Sequence, residues 1–287
     1  EDDVTFTQGT TLEAPQLRDE STFDATTPRL VLSWRPSDET TLYTSYAEGF
    51  RSGFAQNLQT QGALPGTPPV EPDTLKNYEV GIKGNVADGR VGYEAAVYFI
   101  DWQDVQQPLS IIVNGLPVAS SVNGESASGV GVDLASTFRP TDQLALGLSF
   151  SWNDLTFDTD VVSGGFVLFA EGDRLNYSPE YTLGASADYR FPLGGGGFEA
   201  TVSLSANYTS EQDLRTLLGA PFHTVGDEML LARASFTVAS AEHWNASLFA
   251  DNIANEDGTP IRSPAAVPDF SVRVRPRTIG LQLEYRF

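Results

Sequence analysis

The chain has 287 residues, 40% of them hydrophobic, which is room for one large domain or two small ones. Its net charge is −21, from 17 Lys and Arg against 38 Asp and Glu, a surface that repels phosphate backbones and argues against nucleic acid as a partner. The absence of cysteine excludes thiol catalysis and Cys-ligated metals and suits passage through an oxidising compartment, and no apolar run is long enough for a transmembrane helix.

No segment reads as a helix. Alternating stretches recur instead, and a period of two means a strand, because successive side chains point to opposite faces. The first runs over 29–35, with Leu30, Leu32 and Trp34 on one face. Pro36, Ser37 and Asp38 mark a tight turn, and a Thr- and Tyr-rich strand follows over 40–50 with its faces less clearly sorted. A long Gly/Pro-rich connection spans 51–73. Tyr78, Val80 and Ile82 then oppose Glu79, Gly81 and Lys83, and Asp88-Gly89 signals a hairpin. Val91, Tyr93, Ala95, Val97 and Phe99 share the next face. The chain then reaches a second hairpin signal, Asn114-Gly115, and returns to place Val130, Val132, Leu134 and Phe138 on one side. These two strands are too long for the hydrocarbon core, so the 114–115 hairpin is expected to project into water.

After a short turn at 139–142, Leu144, Leu146, Leu148, Phe150 and Trp152 alternate with small polar residues. A long connection over 155–176 leads to the face made by Tyr181, Leu183, Ala185, Ala187, Tyr189 and Phe191. The short turn 193–197 precedes Phe198, Ala200, Val202, Leu204, Ala206 and Tyr208. A long loop over 210–226, a strand over 230–239, a tight turn at 240–243, a strand over 244–252 and a long polar loop over 255–270 follow. The last strand sets Ile279, Leu281, Leu283, Tyr285 and Phe287 against Gly280, Gln282, Glu284 and Arg286. One side suits hydrocarbon and the other water.

Short turns and long loops alternate without exception. That is the outer-membrane pattern, with short periplasmic turns and long extracellular loops. The expected fold is all-β: an antiparallel transmembrane β-barrel, here a partial barrel of about 11–12 up-and-down strands. A possible extra strand lies near 3–8. The C-terminal alternation with Leu283, Tyr285 and Phe287 is the expected recognition signal for the barrel-assembly machinery.

Several stretches, in order, resemble one family. They are Thr41 to Arg51, Val70 to Lys83, Ala95 to Gln106, Gly129-Val-Gly-Val-Asp133, Asp251-Asn-Ile-Ala-Asn255 and Pro276 through Phe287. Together they look like the barrel of TonB-dependent outer-membrane receptors, over about residue 26 to the end. The resemblance implies a barrel of about 22 strands closed by an N-terminal plug, with energised uptake of iron–siderophore complexes or similar scarce nutrients. Neither a plug, an energy-coupling box nor a signal peptide is visible, and the sequence starts on Glu1 rather than Met, as a fragment or a processed chain would. Residues 1–287 are therefore read as the C-terminal portion of such a barrel. The partners so implied are outer-membrane lipid and lipopolysaccharide, the TonB complex through the plug, and a small-molecule metal chelate or other nutrient.

Enzyme chemistry finds little support. His223 and His243 are expected on opposite sides of the membrane, and no Ser/His pair stands out on an adjacent face. No cofactor is expected. Asp154, Asp158, Asp160, Glu171 and Asp173 match no Ca²⁺ loop and read as a solvated acidic loop. Substrate contacts are expected from the long loops and outer strand ends. Arg51, Phe54, Trp102, Gln103, Phe169, Arg174, His223 and Arg262 are the candidates, because Arg and aromatic side chains suit anionic chelates. Two other readings stay open. One is a complete barrel of about 12 strands, acting as a passive porin or outer-membrane enzyme. The other is a soluble glycan-binding β-sandwich.

Overall fold

A computed structural model of the chain describes residues 2–8, 17–63, 66–114, 116–163, 165–195, 197–217, 221–240, 243–262 and 271–285. The strands in chain order are β1 (Asp2–Gln8), β2 (Leu17–Phe23), β3 (Arg29–Ser37), β4 (Thr40–Arg51), β5 (Asp73–Val86), β6 (Val91–Gln103), β7 (Gln106–Val113), β8 (Leu116–Asn123), β9 (Ser126–Phe138) and β10 (Leu144–Phe157). They continue as β11 (Val161–Ser163), β12 (Phe166–Phe169), β13 (Tyr181–Leu193), β14 (Phe198–Thr209), β15 (Asp213–Leu217), β16 (Pro221–Val225), β17 (Met229–Ser240), β18 (Trp244–Asp251) and β19 (Thr278–Tyr285). One six-residue helix, α1 (Leu58–Ala63), interrupts the first long loop, where no helix was expected.

Eleven strands form one sheet in the order β19-β18-β17-β14-β13-β10-β9-β6-β5-β4-β3. Every neighbouring pair in it is antiparallel. Among the described residues β3 and β19 do not pair, so the sheet is open, as a partial barrel is. The five expected short turns all join adjacent strands at one end. The five long connections, 52–72, 104–125, 158–180, 210–228 and 252–277, all leave from the other.

The register explains the alternation read from the sequence. Tyr46, Tyr78 and Phe99 lie side by side across β4, β5 and β6, with ring centroids 5.0 and 6.3 Å apart. They share the outer face with Leu32, Val80, Val97 and Val130. This pairing also sorts the faces of β4: Leu42, Thr44 and Tyr46 face out, and Thr41, Tyr43 and Ser45 face in. Among the described residues no second sheet covers the outer face, and Leu30, Leu148 and Leu283 keep 71%, 65% and 72% of their surface exposed. Such a surface needs a nonpolar medium rather than water, and the single-layered sheet is not a β-sandwich. Aromatics line both margins of the apolar band. Tyr189 stacks with Phe191 and Phe198 meets Trp244 near the turns, while Trp152 donates its indole N–H to Glu180 near the loops.

Two expectations need correction. The strands beyond β6 and before β9 do not run on into the 114–115 hairpin. The chain breaks where Asp104 takes a left-handed φ of 54°, and the break is closed by Asp104 N–H to Glu125 O and Gly124 N–H to Val105 O. The hairpin forms, as β7 and β8, but in a separate four-stranded sheet, β16-β15-β7-β8. The segment near residue 3 is a strand, yet it pairs with β2 and adds nothing to the large sheet. Gly115 and Phe287 lie outside the described residues.

Candidate functional site

Among the described residues, the long-loop end carries the one hydrophobic core of conventional type. Val105, Leu109, Ile111, Phe157, Leu168 and Phe169 are buried there, with Phe157 and Phe169 rings 4.7 Å apart. The long loops thus fold on one another above the sheet.

Polar side chains fasten that layer to the strand ends. Asp73 begins β5 directly opposite Arg51, the last residue of β4, and is 2% exposed. Its carboxylate accepts the Arg51 guanidinium through both Nε and Nη2, the Trp102 indole N–H at 2.9 Å and the Gln106 amide N–H at 3.0 Å. Arg51 also lies 4.8 Å from the centre of the Trp102 ring and donates to Gln106 O. A buried carboxylate is tolerated because every contact is a charge-assisted or neutral donor. The amide of Gln106 reaches on to Ser52 O and Glu71 O, joining the first two loops.

Amides continue the stitching. Gln56 and Asn57 donate to Ser121 O and Ala119 O, occupying carbonyls along the free edge of β8 as a neighbouring strand would. Asn176 is 7% exposed and serves three carbonyl and amide groups at once: it accepts from Arg215 N and donates to Arg215 O and Pro108 O. It therefore braces the β7–β15 contact, a parallel pairing of only two residue pairs. Asp227 accepts the Thr259 N–H at 2.8 Å and the Arg262 guanidinium, tying the fourth loop to the fifth. The Thr259 N–H, and then Arg262, hold that carboxyl below the usual range against the opposing effect of burial. Tyr177 is pushed upward by burial in the third loop.

Of the eight contact candidates, the structure brings Arg51 and Trp102 together. Phe54 forms a β-bridge with Val70 across the first loop, and Gln103 ends β6 as an exposed residue. Phe169 is fully buried against Phe157, so its ring packs the loop core instead of facing a ligand. Arg174 is engaged with Asn153 and Ser178 O, with 16% of its side chain exposed. His223 meets Asp213 across the β15–β16 hairpin, and Arg262 meets Asp227. These last three stand in different loops. His243 lies at the opposite end, by the Tyr285 ring.

The acidic residues of the third loop are spread over separate contacts. Asp158 accepts from Ser128, Asp160 from Glu171 N, and Asp173 from Ala170 N and Arg215. Among the described residues, no group of three or more acids or histidines is placed to hold a metal ion. Asp73 and Asn176 escaped the sequence reading. The only signal for Asp73 was its place opposite Arg51 once the β4–β5 register is known.

Below the loops the sheet curves around a polar concave face. A space of about 810 Å³ there is lined by Lys83, Glu94, Thr137, Ser149 and Asn207 among others. The arrangement can present a fixed loop surface outside and a wet, polar wall within.

Comparisons with known proteins agree with this geometry. The sequence model described as "TonB dependent receptor-like, beta-barrel" matches residues 2–253. The ferric-pyoverdine 358 receptor of Pseudomonas putida is 27% identical over 126 residues, which is 43% of this chain and 14% of that protein. The ferric yersiniabactin uptake receptor FyuA of Yersinia pestis has a similar structure, with a TM-score of 0.70 at 17% identity, over 96% of this chain and 40% of its own. The ferric preacinetobactin receptor BauA of Acinetobacter baumannii gives 0.64 at 18% identity, over 96% and 38%. At such identities the structural likeness speaks for the fold, and this chain spans about 40% of the length of the first structure it matches.

Proposed function

The chain belongs to the TonB-dependent receptor β-barrel family, a family of receptors in the Gram-negative outer membrane, and from that premise we propose that it is the C-terminal portion of a receptor that takes up iron–siderophore complexes. The observation that carries the proposal is the separation of ends and faces. One apolar face turns outward, one polar face turns inward, and every long loop gathers at a single end. The similar proteins with solved structures are named as receptors for ferric chelates, which favours that substrate class over other nutrients.

In this reading the outer loop layer meets the chelate first. Arg51 and Trp102 offer a cation and an aromatic face where the loops join the strands. The polar concave wall faces a plug domain, which passes energy from TonB. The barrel-assembly machinery inserts the protein, reading the alternating β19. Membership of a receptor family supports the transporter reading.

The test is uptake by cells. Deleting the full gene should abolish accumulation of radioactive iron from one or a few ferric siderophores, and loss of TonB should do the same. Unchanged accumulation from every ferric siderophore tried would overturn the substrate class. Uptake that persists without TonB would instead favour the passive porin.

A further inference from the structure

The loop layer is built as two bodies. Among the described residues its apolar core is drawn from 105–127 and 157–175, the second and third connections with the adjoining strand ends. Amides add the first connection to that body, through Gln56 and Asn57 along β8 and Asn123 Nδ2 to Glu71 O. The fourth connection contributes nothing to the core; Leu214 of β15 is buried but stands outside it. The fourth is fastened to the fifth instead. Asp227 N–H donates to Thr259 O at 3.0 Å, and Thr224 Oγ1 donates to Arg262 O at 2.7 Å. Gly226 passes so close to Pro260 that a Cβ there would collide with its carbonyl oxygen. β15 and β16 with 259–262 therefore make a second body.

The two bodies meet along a seam of different character. β7 pairs with β15 only at Ser110–Thr216 and Ile111–Leu217, whereas β7 and β8 pair along their whole length, as do β15 and β16. The side-chain bonds across the seam are polar. Asn176, held on its own side by Pro108 O, accepts from Arg215 N–H at 2.8 Å and donates to Arg215 O. Tyr177 N–H donates to Asp213 O at 3.1 Å. Asp173 pairs with the Arg215 guanidinium at 2.6 Å, and that group lies 5.9 Å from the centre of the Phe169 ring. One donor at the seam is unmatched: Arg215 Nε is buried with no partner.

An apolar interface resists opening in proportion to the area it buries. Hydrogen bonds across a polar seam are exchanged for bonds to water at a small net cost. Parts joined in the second way open before parts joined in the first. We propose that the loop layer parts along the β7–β15 seam, with Asn176 as its latch. β15 and β16 then move with 259–262 as one flap, while the first three connections stay seated on their core. Opening there admits the chelate to the polar space below. Admission of the chelate rests on the uptake reading above; the seam between two bodies does not.

Hydrogen exchange resolved to single amides, on the full-length protein from its own gene in lipid nanodiscs, tests the seam. Arg215 N–H and Tyr177 N–H bond across it, while Gly124 N–H and Asp227 N–H bond within one body each. The first two should share one protection factor, about ten-fold or more below the other two. N176A should lower protection at Tyr177 about ten-fold further and leave Gly124 and Asp227 unchanged. Equal protection of all four, or an N176A effect spread evenly over them, would overturn the two-body layer. A disulfide works in the opposite direction. Ser110 and Thr216 are partners across the seam, so oxidised S110C/T216C, with any other cysteine replaced, should raise protection at Tyr177. Should N176A not assemble, this variant decides alone, and failure to crosslink or unchanged protection counts against the seam. In cells, the same disulfide should abolish accumulation of radioactive iron supplied as the ferric siderophores secreted by the source strain, and a mild reductant should restore it. V162C/V167C, an exposed pair inside the β11–β12 hairpin of the first body, should accumulate iron as wild type does. Equal accumulation by oxidised and reduced S110C/T216C would overturn the gate. Accumulation that survives deletion of the gene would instead sink the uptake reading, with the seam still judged by exchange.

Discussion

At the scale of single residues, Asp73 matters most. Its carboxylate holds Arg51, Trp102 and the Gln106 amide where two loops leave the sheet. D73N keeps the shape and removes the charge. The local cost should be roughly 1.5–3 kcal/mol, short of a fully buried pair because Arg51 is 48% exposed. It should appear as faster proteolysis and hydrogen exchange in 52–72 and 104–125 with the sheet unchanged; unchanged exchange there would count against the role. Asp227 makes a pH prediction. Its folded pKa is depressed, chiefly by the Thr259 N–H, so its contribution is present above the ordinary carboxylate range and is lost as pH falls through the depressed value. Hydrogen exchange at Thr259 should therefore rise only in acid below that range, and D227N should abolish the dependence. Residue roles were the least legible part of the sequence. Phe169 was read as a ligand contact because a loop aromatic looks available, and its burial depends on Phe157, twelve positions earlier. Asp73 looked like the end of a polar loop until the register set it against Arg51.

At the scale of elements, the strands of the large sheet were legible because hydrocarbon and water act on opposite faces of every one. In β19 the outward Leu283 tests this. L283R should cost about 2–4 kcal/mol if it sits near the midplane, read as a lower urea midpoint for unfolding from lipid vesicles; no loss would contradict the facing. The inner face has its own constraint. Tyr43 lies over Gly81 and Tyr98 over Gly131 on the neighbouring strands, and a Cβ on either glycine would collide with the ring. G131V should therefore cost about 1–3 kcal/mol and lower the temperature of the gel-mobility shift that reports barrel unfolding. Y98A/G131V should recover part of that loss, which a simple change in strand propensity would not. The loop strands were not legible. β7 and β15 lie about a hundred residues apart and meet through two residue pairs braced by Asn176, and no local period encodes such a contact.

At the scale of the whole molecule, direction decides what the sheet needs. β3 and β19 both run from the loop end to the turn end, so joining them would make a parallel pair in an otherwise antiparallel sheet. Closure as an up-and-down barrel requires an odd number of further strands, and the β1–β2 hairpin is not among them because its strands pair with each other. Everything rests on one orientation: outer face to lipid, long loops to the medium, short turns to the periplasm. The chain has no cysteine, so in a full-length protein with any other cysteines replaced, single cysteines placed in this portion report cleanly. Asn114 is an exposed residue of the β7–β8 connection and Asp88 an exposed residue of a short turn. With a membrane-impermeant maleimide on intact cells, N114C should label at once and D88C only after the outer membrane is permeabilised. Labelling of D88C in intact cells with N114C protected, or equal labelling of both, would contradict the account.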